Sequence, residues 1–292
     1  MKDFEYTALS ENIDSKKREE IREYLVREKR ISNAFTVGRS ILGKEITAYF
    51  IGKGHKRVAF FAAHHALEHI TENILYLMIS TLLYGECYGI DKELLLSRYT
   101  YCIIPAVNPD GIEMHLNGVE KSPLEERIMR MSGGDFSLWQ ANARGVDLNH
   151  NYDSGFLEYK KIEAERDICA GATLYSGEYP ESEPETRAVA SFIRSTELSL
   201  VVSLHTQGEE VYAMGGASAV RCGERLAKAL GYKLGEPADT AMYGGLCDYT
   251  GSLGIPSFTV ECGLGTNPLP ISEVARIYRG IVRGLIKLPT LL

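Results

Sequence analysis

Apolar and polar positions follow two different rhythms along this chain. Over residues 14–30 charge is dense, and Ile21, Tyr24 and Leu25 recur at helical spacing, which predicts a surface helix with one buried stripe. Beyond it the pattern changes to short unbroken apolar runs: RVAFFAA (57–63), YTYCIIPAV (99–107), ELSLVVSLH (197–205) and SFTVECG (257–263). Rich in β-branched and apolar residues, these predict buried strands. ITENILYLMISTLLYG predicts a helix after the first run. SEPETRAVASFIRS (182–195) predicts another, opened by a capping box with Ser182 at the N-cap and Glu185 three residues on. Ser272 begins a final helix with Val274, Ile277, Ile281 and Leu285 on one face. LNGVEKSP and RMSGGDF bracket a stretch from about 112 to 160 that predicts a long irregular insertion.

Strands alternating with helices predict a mostly parallel or mixed sheet covered on both faces. No repeat, low-complexity tract or linker-like break divides the chain, so the expectation is one domain over residues 1–292, the N-terminal helix packed on it. In such folds ligands bind beyond the carboxyl ends of the strands. Polar residues gather there: His64 and His65 after the first run, Asn108 and Asp110 after the second, His205 after the third and Glu261 near the end of the fourth.

The 292 residues suffice for a large core, and 45% hydrophobic with 24% charged residues is an ordinary soluble balance. A net charge of −7 with no basic stripe argues against a nucleic-acid partner. No apolar run approaches the roughly 20 residues of a membrane span, and the N-terminus lacks a secretory h-region. Six scattered cysteines without a CxxC pair fit reduced thiols and a cytoplasmic location. Nothing in the sequence demands self-association.

The chemistry concentrates in FFAAHHALEHITENILYLM (60–78). HALEH contains both H-x-x-E (His65, Glu68) and H-x-x-E-H (His65, Glu68, His69), the inverted zincin signature. The inverted form needs His65 inside a helix, so that the two histidines share a face. RVAFFAA instead carries a strand up to His64 and leaves His65 on the strand-to-helix turn. The shorter motif then requires a third ligand from elsewhere, and His205, closing LVVSLH, is the candidate. Any one histidine alone reads more naturally as a hydrogen-bonded core or surface residue. A His, Glu, His set with an open fourth position is catalytic-zinc chemistry.

At this point the sequence resembles the zinc carboxypeptidase family, from VGRSILGKEITAYFIG (37–52) to the final helix. The motifs occur in order: HHALE, PAVNPDG (105–111), WQANARGVDLNHNYD (139–153), SLHTQGE and FTVECG. The resemblance implies an α/β/α sandwich on a mixed, largely eight-stranded sheet, one zinc ion held by His65, Glu68 and His205, and a peptide substrate. Within the family the chain looks most like bacterial γ-D-glutamyl-meso-diaminopimelate peptidases, through ANARGVDLNHNYD, YPESEPETRA, LHTQGEE and NPLP. That resemblance alone implies a cell-wall-derived peptide.

The resemblance also implies roles. Glu261 is the general base, and Arg144 in W-x-x-N-x-R steadies the oxyanion. Asp147 orients a zinc histidine, and Asn149 binds the substrate carboxylate. Taken as single residues, Arg144 could be a solvated charge, Asp147 a turn cap and Glu261 a solvent-facing acid. Two departures stand out. True carboxypeptidases follow the asparagine with arginine, where this chain has His150, which removes a bidentate carboxylate clamp. In YGGLCDYTG (243–251), Cys247 and Tyr249 replace a lysine and a tryptophan. The mobile tyrosine of the family falls near Thr240, with Tyr243 as a substitute. His150, Tyr243 and Cys247 are therefore candidate substrate contacts, while His64 and His69 are packing or supporting residues. Alternatives are an ordinary metallocarboxypeptidase, a zinc amidohydrolase of small acyl-amino acids, against which WQANARG speaks, and a binding module with a dead site.

Overall fold

The computed structural model describes residues 3–28, 31–89, 91–119, 121–237 and 241–291. The chain opens with helices α1 (Asp3–Ser10) and α2 (Ser15–Arg27), then strands β1 (Asn33–Arg39) and β2 (Glu45–Gly52). β3 (Lys56–Ala62) leads through a 3-10 turn (Ala66–Glu68) into α3 (Ile70–Tyr84), and α4 (Lys92–Arg98) precedes β4 (Tyr99–Ile104). Helices α5 (Pro109–Asn117), α6 (Glu125–Ser132), α7 (Phe156–Glu165) and α8 (Pro184–Ser195) follow. β5 (Leu198–His205), β6 (Glu210–Met214), α9 (Gly216–Leu230) and β7 (Lys233–Leu234) come next, then α10 (Leu246–Ser252), β8 (Ser257–Glu261) and α11 (Val274–Lys287).

The eight strands form one sheet in the order β1-β2-β4-β3-β5-β8-β6-β7. β4, β3, β5 and β8 are mutually parallel, and the strands flanking them run antiparallel. β3 shows why the centre is buried on both faces. Val58, Phe60 and Ala62 pack into the core with Ile74, Met78 and Ile281, whereas Ala59 and Phe61 pack on the other face with Val189, Phe192 and Leu246. Successive strand residues point to opposite faces, so a strand covered twice must be apolar throughout. Cutting fully buried Phe60 to alanine would cost about 3–5 kcal/mol. The result is the three-layer α/β/α sandwich on a mixed eight-stranded sheet.

The N-terminal helices lie against the start of α3. Asn73 Nδ2 donates to Ala8 O (3.0 Å) and Glu11 O (2.9 Å), and the Arg18 guanidinium donates to both Glu72 oxygens at 2.7 and 2.8 Å. Within α2, Ile21 and Leu25 are buried as the stripe predicts, and Asp14 caps the helix through Lys17 N. The predicted end of this helix, residues 29–30, lies outside the described residues.

Two expectations need correction. Residues 112–160 are only partly irregular: the end of α5, α6 and the start of α7 lie within them, while 133–155 carries only a 3-10 turn at Leu148–His150. Glycines at 118, 133 and 155 take positive φ at the ends of these helices, so some turn residues read as irregularity were helix boundaries. The capping box also fails. Glu183 is the N-cap of α8 and Pro184 holds the first helical position, which leaves Ser182 one residue too early. Ser182 Oγ instead donates to Glu183 Oε1 and accepts from Asn151 Nδ2, while Glu185 accepts from Ile41 N. The final helix is as expected on its buried face, after a 3-10 turn over Ile271–Glu273 that includes Ser272.

Candidate metal centre and cleft

β3 ends at Ala62, Ala63 takes a left-handed φ of 53°, and His65 is extended (φ −90°, ψ 126°) before the 3-10 turn that carries Glu68. Asn108, at the start of α5, fastens this turn: its Nδ2 donates to the carbonyls of His64, Gln140 and Ala141. Asp110 accepts from Leu42 N and Lys44 Nζ, so both polar residues after β4 serve the scaffold.

His205 closes β5, directly beside β3, and reaches the same point. Its Nδ1 lies 3.0 Å from Glu68 Oε2 and 3.3 Å from His65 Nδ1, which is 3.2 Å from Glu68 Oε1. Each ring is held from behind: His65 Nε2 lies 3.2 Å from Asp147 Oδ1, and His205 Nε2 3.0 Å from Ser203 Oγ. With Nε2 protons directed to Asp147 and Ser203, both Nδ1 lone pairs face each other across the carboxylate. Two nitrogens bound tetrahedrally at about 2.0–2.1 Å would sit about 3.3 Å apart, so the donor set fits zinc. Asp147 is held by Asn149 N and Leu174 N, which fixes the carboxylate that fixes His65.

Burial and close opposite charges act on the same groups. Burial alone would raise Glu68, but the two imidazoles draw it down to about 2. Burial opposes charge on His65, yet Asp147 and Glu68 on either side push its pKa well up. Asp147, also buried, is held low chiefly by His65. His69 points away to Asn12 Oδ1 (3.1 Å), which excludes the inverted zincin arrangement. His64 is buried against Tyr152 OH (3.0 Å) and Ser203.

Glu261, at the end of β8, is the register partner of His205 on one side and Glu210 on the other. Together with His65, His205, Gln140, Asn149, His150 and Cys247 it lines a cleft of about 190 Å³. Burial, reinforced by the Glu68 and Glu210 charges, pushes Glu261 well above the usual carboxylate range. Cys247 is buried beside Thr259, and its thiol is pushed up to about 12 by burial. A larger cavity of about 290 Å³ beside α2 holds Arg18, Arg22, Arg39 and Lys44. Each of those is already paired with a carboxylate, and the cavity does not reach the metal donors.

Two candidates are corrected. Arg144 does not enter the cleft: its Nε lies 3.2 Å from Glu183 Oε2, and it lines a separate surface pocket with Arg127 and Tyr175. Asn142 Oδ1 accepts from both Arg144 N and Val146 N, making a turn that sends the arginine outward. Gln140 is the member of WQANARG that lines the cleft, and its backbone carbonyl accepts from Ala66 N at 2.9 Å. Tyr243 contributes its carbonyl, 2.9 Å from His150 Nδ1, while its ring packs over Gly155, where an added Cβ would lie 2.4 Å from it. Thr240 lies outside the described residues.

Sequence reasoning missed Gln140, Asp248 and Asn267. Asp248 accepts from Gly245 N and caps α10. Asn267, in the NPLP stretch, donates to Glu68 Oε1 (3.3 Å) and Thr206 O (2.7 Å). The signal available for Gln140 was its place directly after Trp139.

A metal-ready His, Glu, His set beyond the strand ends of a mixed eight-stranded sandwich is an arrangement of the zinc carboxypeptidase class. The zinc carboxypeptidase profile matches residues 19–253, and the chain belongs to that family. In this chain His65, Glu68 and His205 form the candidate site for the one zinc ion that this family uses. The γ-D-glutamyl-L-diamino acid endopeptidase 1 of Lysinibacillus sphaericus is 32% identical over 257 residues, covering 83% of this chain and 63% of that relative. The chain thus spans less than two thirds of that protein's length. Carboxypeptidase A from Helicoverpa armigera superposes with a TM-score of 0.75 at 18% identity, over 99% of this chain and 74% of that one. The murein-tripeptide amidase MpaA from Escherichia coli O157 gives 0.56 at 21% identity, over 88% and 92%.

Proposed function

We propose that the protein hydrolyses the amide bond between the γ-carboxyl of D-glutamate and a diamino acid in murein-type peptides. The observation that carries the reading is the convergence of His65, Glu68 and His205 with Glu261 at one cleft. The resemblance to the diamino acid endopeptidase supports the substrate. The reading takes the chain as one peptidase domain in a reducing, cytoplasmic compartment, supported by six unpaired cysteines, five of them buried.

Zinc held by His65, Glu68 and His205 supplies a Lewis acid that polarises a carbonyl and acidifies water. Glu261 accepts the proton of the attacking water and returns it to the leaving amine. The Gln140 carboxamide donates to the carbonyl oxygen as negative charge develops, a task needing a fixed donor and not a full charge. Asp147 holds the His65 tautomer, and Asn149 contacts the substrate beyond the scissile bond. Ordinary carboxypeptidase action fits less well, because no lysine or arginine is among the described residues lining the cleft.

The test is a panel of L-Ala-γ-D-Glu-diaminopimelate peptides, ordinary peptides with free C-termini, and acyl-amino acids, each incubated with zinc-loaded protein. Cleavage at the γ-linked bond is expected, and cleavage of acyl-amino acids alone would overturn the reading. Glu261→Gln should keep its zinc and lose about 100-fold or more in kcat; unchanged turnover would remove Glu261 from its role.

A further inference from the structure

The substrate side of the cleft is built from neutral groups whose donor and acceptor directions are fixed. Asn149 Oδ1 accepts from Leu246 N at 3.1 Å. A backbone N–H can only donate, so the amide oxygen must face it, and the Asn149 Nδ2 protons are left for the cleft that this residue lines. His150 is fixed in the opposite sense. Its Nδ1 lies 2.9 Å from the Tyr243 carbonyl, which can only accept, so Nδ1 carries the proton. Burial lowers the affinity of the ring for a second proton and keeps it neutral. Nε2 is then a bare acceptor, without a partner among the described residues. The ring cannot turn over freely. It stacks on Tyr159 with centroids 3.9 Å apart and planes 9° from parallel. Gly244, at φ +71°, packs against the backbone of the same residue, where an added Cβ would lie 2.3 Å from His150 O.

The surroundings disfavour an anion. The described lining residues include Asp147, Asp248 and Glu261 but no lysine or arginine.

We propose that this side of the cleft recognises an amide and not a free carboxylate. The residue on the leaving side is bound with its α-carboxyl continued into a further peptide bond or capped as a carboxamide. The amide C=O accepts from Asn149 Nδ2, and the amide N–H donates to His150 Nε2. A carboxylate would satisfy Asn149 but set oxygen against the His150 lone pair, with no charge to offset its desolvation. The inference rests on the reading of this cleft as a peptide hydrolase and adds the chemical form of the substrate.

The test uses a matched pair, L-Ala-γ-D-Glu-diaminopimelate as the free acid and with the leaving-side α-carboxyl as the carboxamide. Affinities are measured by calorimetry on zinc-loaded Glu261→Gln, and kcat/KM on zinc-loaded wild type. The carboxamide is expected to bind about tenfold tighter or more. Equal affinity, a preference for the free acid, or no measurable binding of the carboxamide overturns the proposal. Tighter binding of the carboxamide without hydrolysis by wild type would sink the hydrolase reading and leave this one standing; hydrolysis without preference would do the reverse. Asn149→Asp keeps an acceptor for Leu246 N and should weaken the carboxamide about tenfold. His150→Arg, if its melting curve shows a folded protein, should shift the preference toward the free acid. An unchanged carboxamide affinity in a folded Asn149→Asp protein counts against the proposal.

Discussion

The two halves of the cleft are built on opposite principles. On the metal half, His65, Glu68 and His205 are ionisable groups brought together at the ends of adjacent strands, each braced by another polar side chain. On the substrate half, Gln140, Asn149, His150 and Cys247 are neutral, and direction instead of charge defines what they accept. Concentrated charge produces reactivity and leaves a compact motif. Oriented neutral groups produce selectivity, and their meaning depends on which end of each side chain the fold has already used.

The largest effect should come from the metal half. His205→Ala removes one ligand and leaves Glu68 with a single imidazole partner. It is expected to abolish stoichiometric zinc binding and reduce turnover to background, as read by metal analysis of the purified protein. Full zinc occupancy in that variant would break the contrast, because the metal would be held elsewhere. On the substrate half the contrast is sharpened by a pair. Gln140→Ala should lower kcat by about 10²-fold with zinc retained, as loss of one fixed donor does. Arg144→Ala, which loses only a partly exposed ion pair with Glu183, should stay within about threefold. The reverse ranking in steady-state kinetics would restore Arg144 to the reaction.

The smallest effect concerns the support beneath both halves. Glu185 is buried next to Asn142 and near Asp110 and Glu183, and burial raises it to about 8. Its folded pKa thus exceeds the unfolded value, so its neutral form stabilises the fold fully below about pH 4.5. That contribution is lost as pH rises toward 8, with a slope of at most about 1.4 kcal/mol per pH unit from this group. Urea midpoints measured from pH 5 to 8 should fall with pH in the wild type more steeply than in Glu185→Gln. Parallel slopes would remove Glu185 as the source.

The same contrast decides what was legible in the sequence. The central strands read directly, because residues buried on both faces leave unbroken apolar runs such as RVAFFAA. The metal set read directly too, since strand ends fix where His65 and His205 must lie. Arg144 misled because charge is visible in a sequence and direction is not. The turn made by the Asn142 side chain points the arginine out and leaves unremarkable Gln140 facing in. The helices within 112–160 were obscured by the glycines that end them, and Ser182 by a proline that starts α8 one residue later than a capping box allows.

The opening helices reach the metal turn from behind. The family match begins at residue 19, yet Ala8, Glu11, Asn12 and Arg18, all upstream of it, grip Asn73, His69 and Glu72 at the head of α3, immediately after the carboxylate ligand. The buried Arg18–Glu72 pair alone would cost about 3–5 kcal/mol if only one partner were removed. This segment therefore acts as a buttress: an affinity tag, a protease cut or a deletion confined to it would register as altered retention of the ion, far along the polypeptide from the lesion itself.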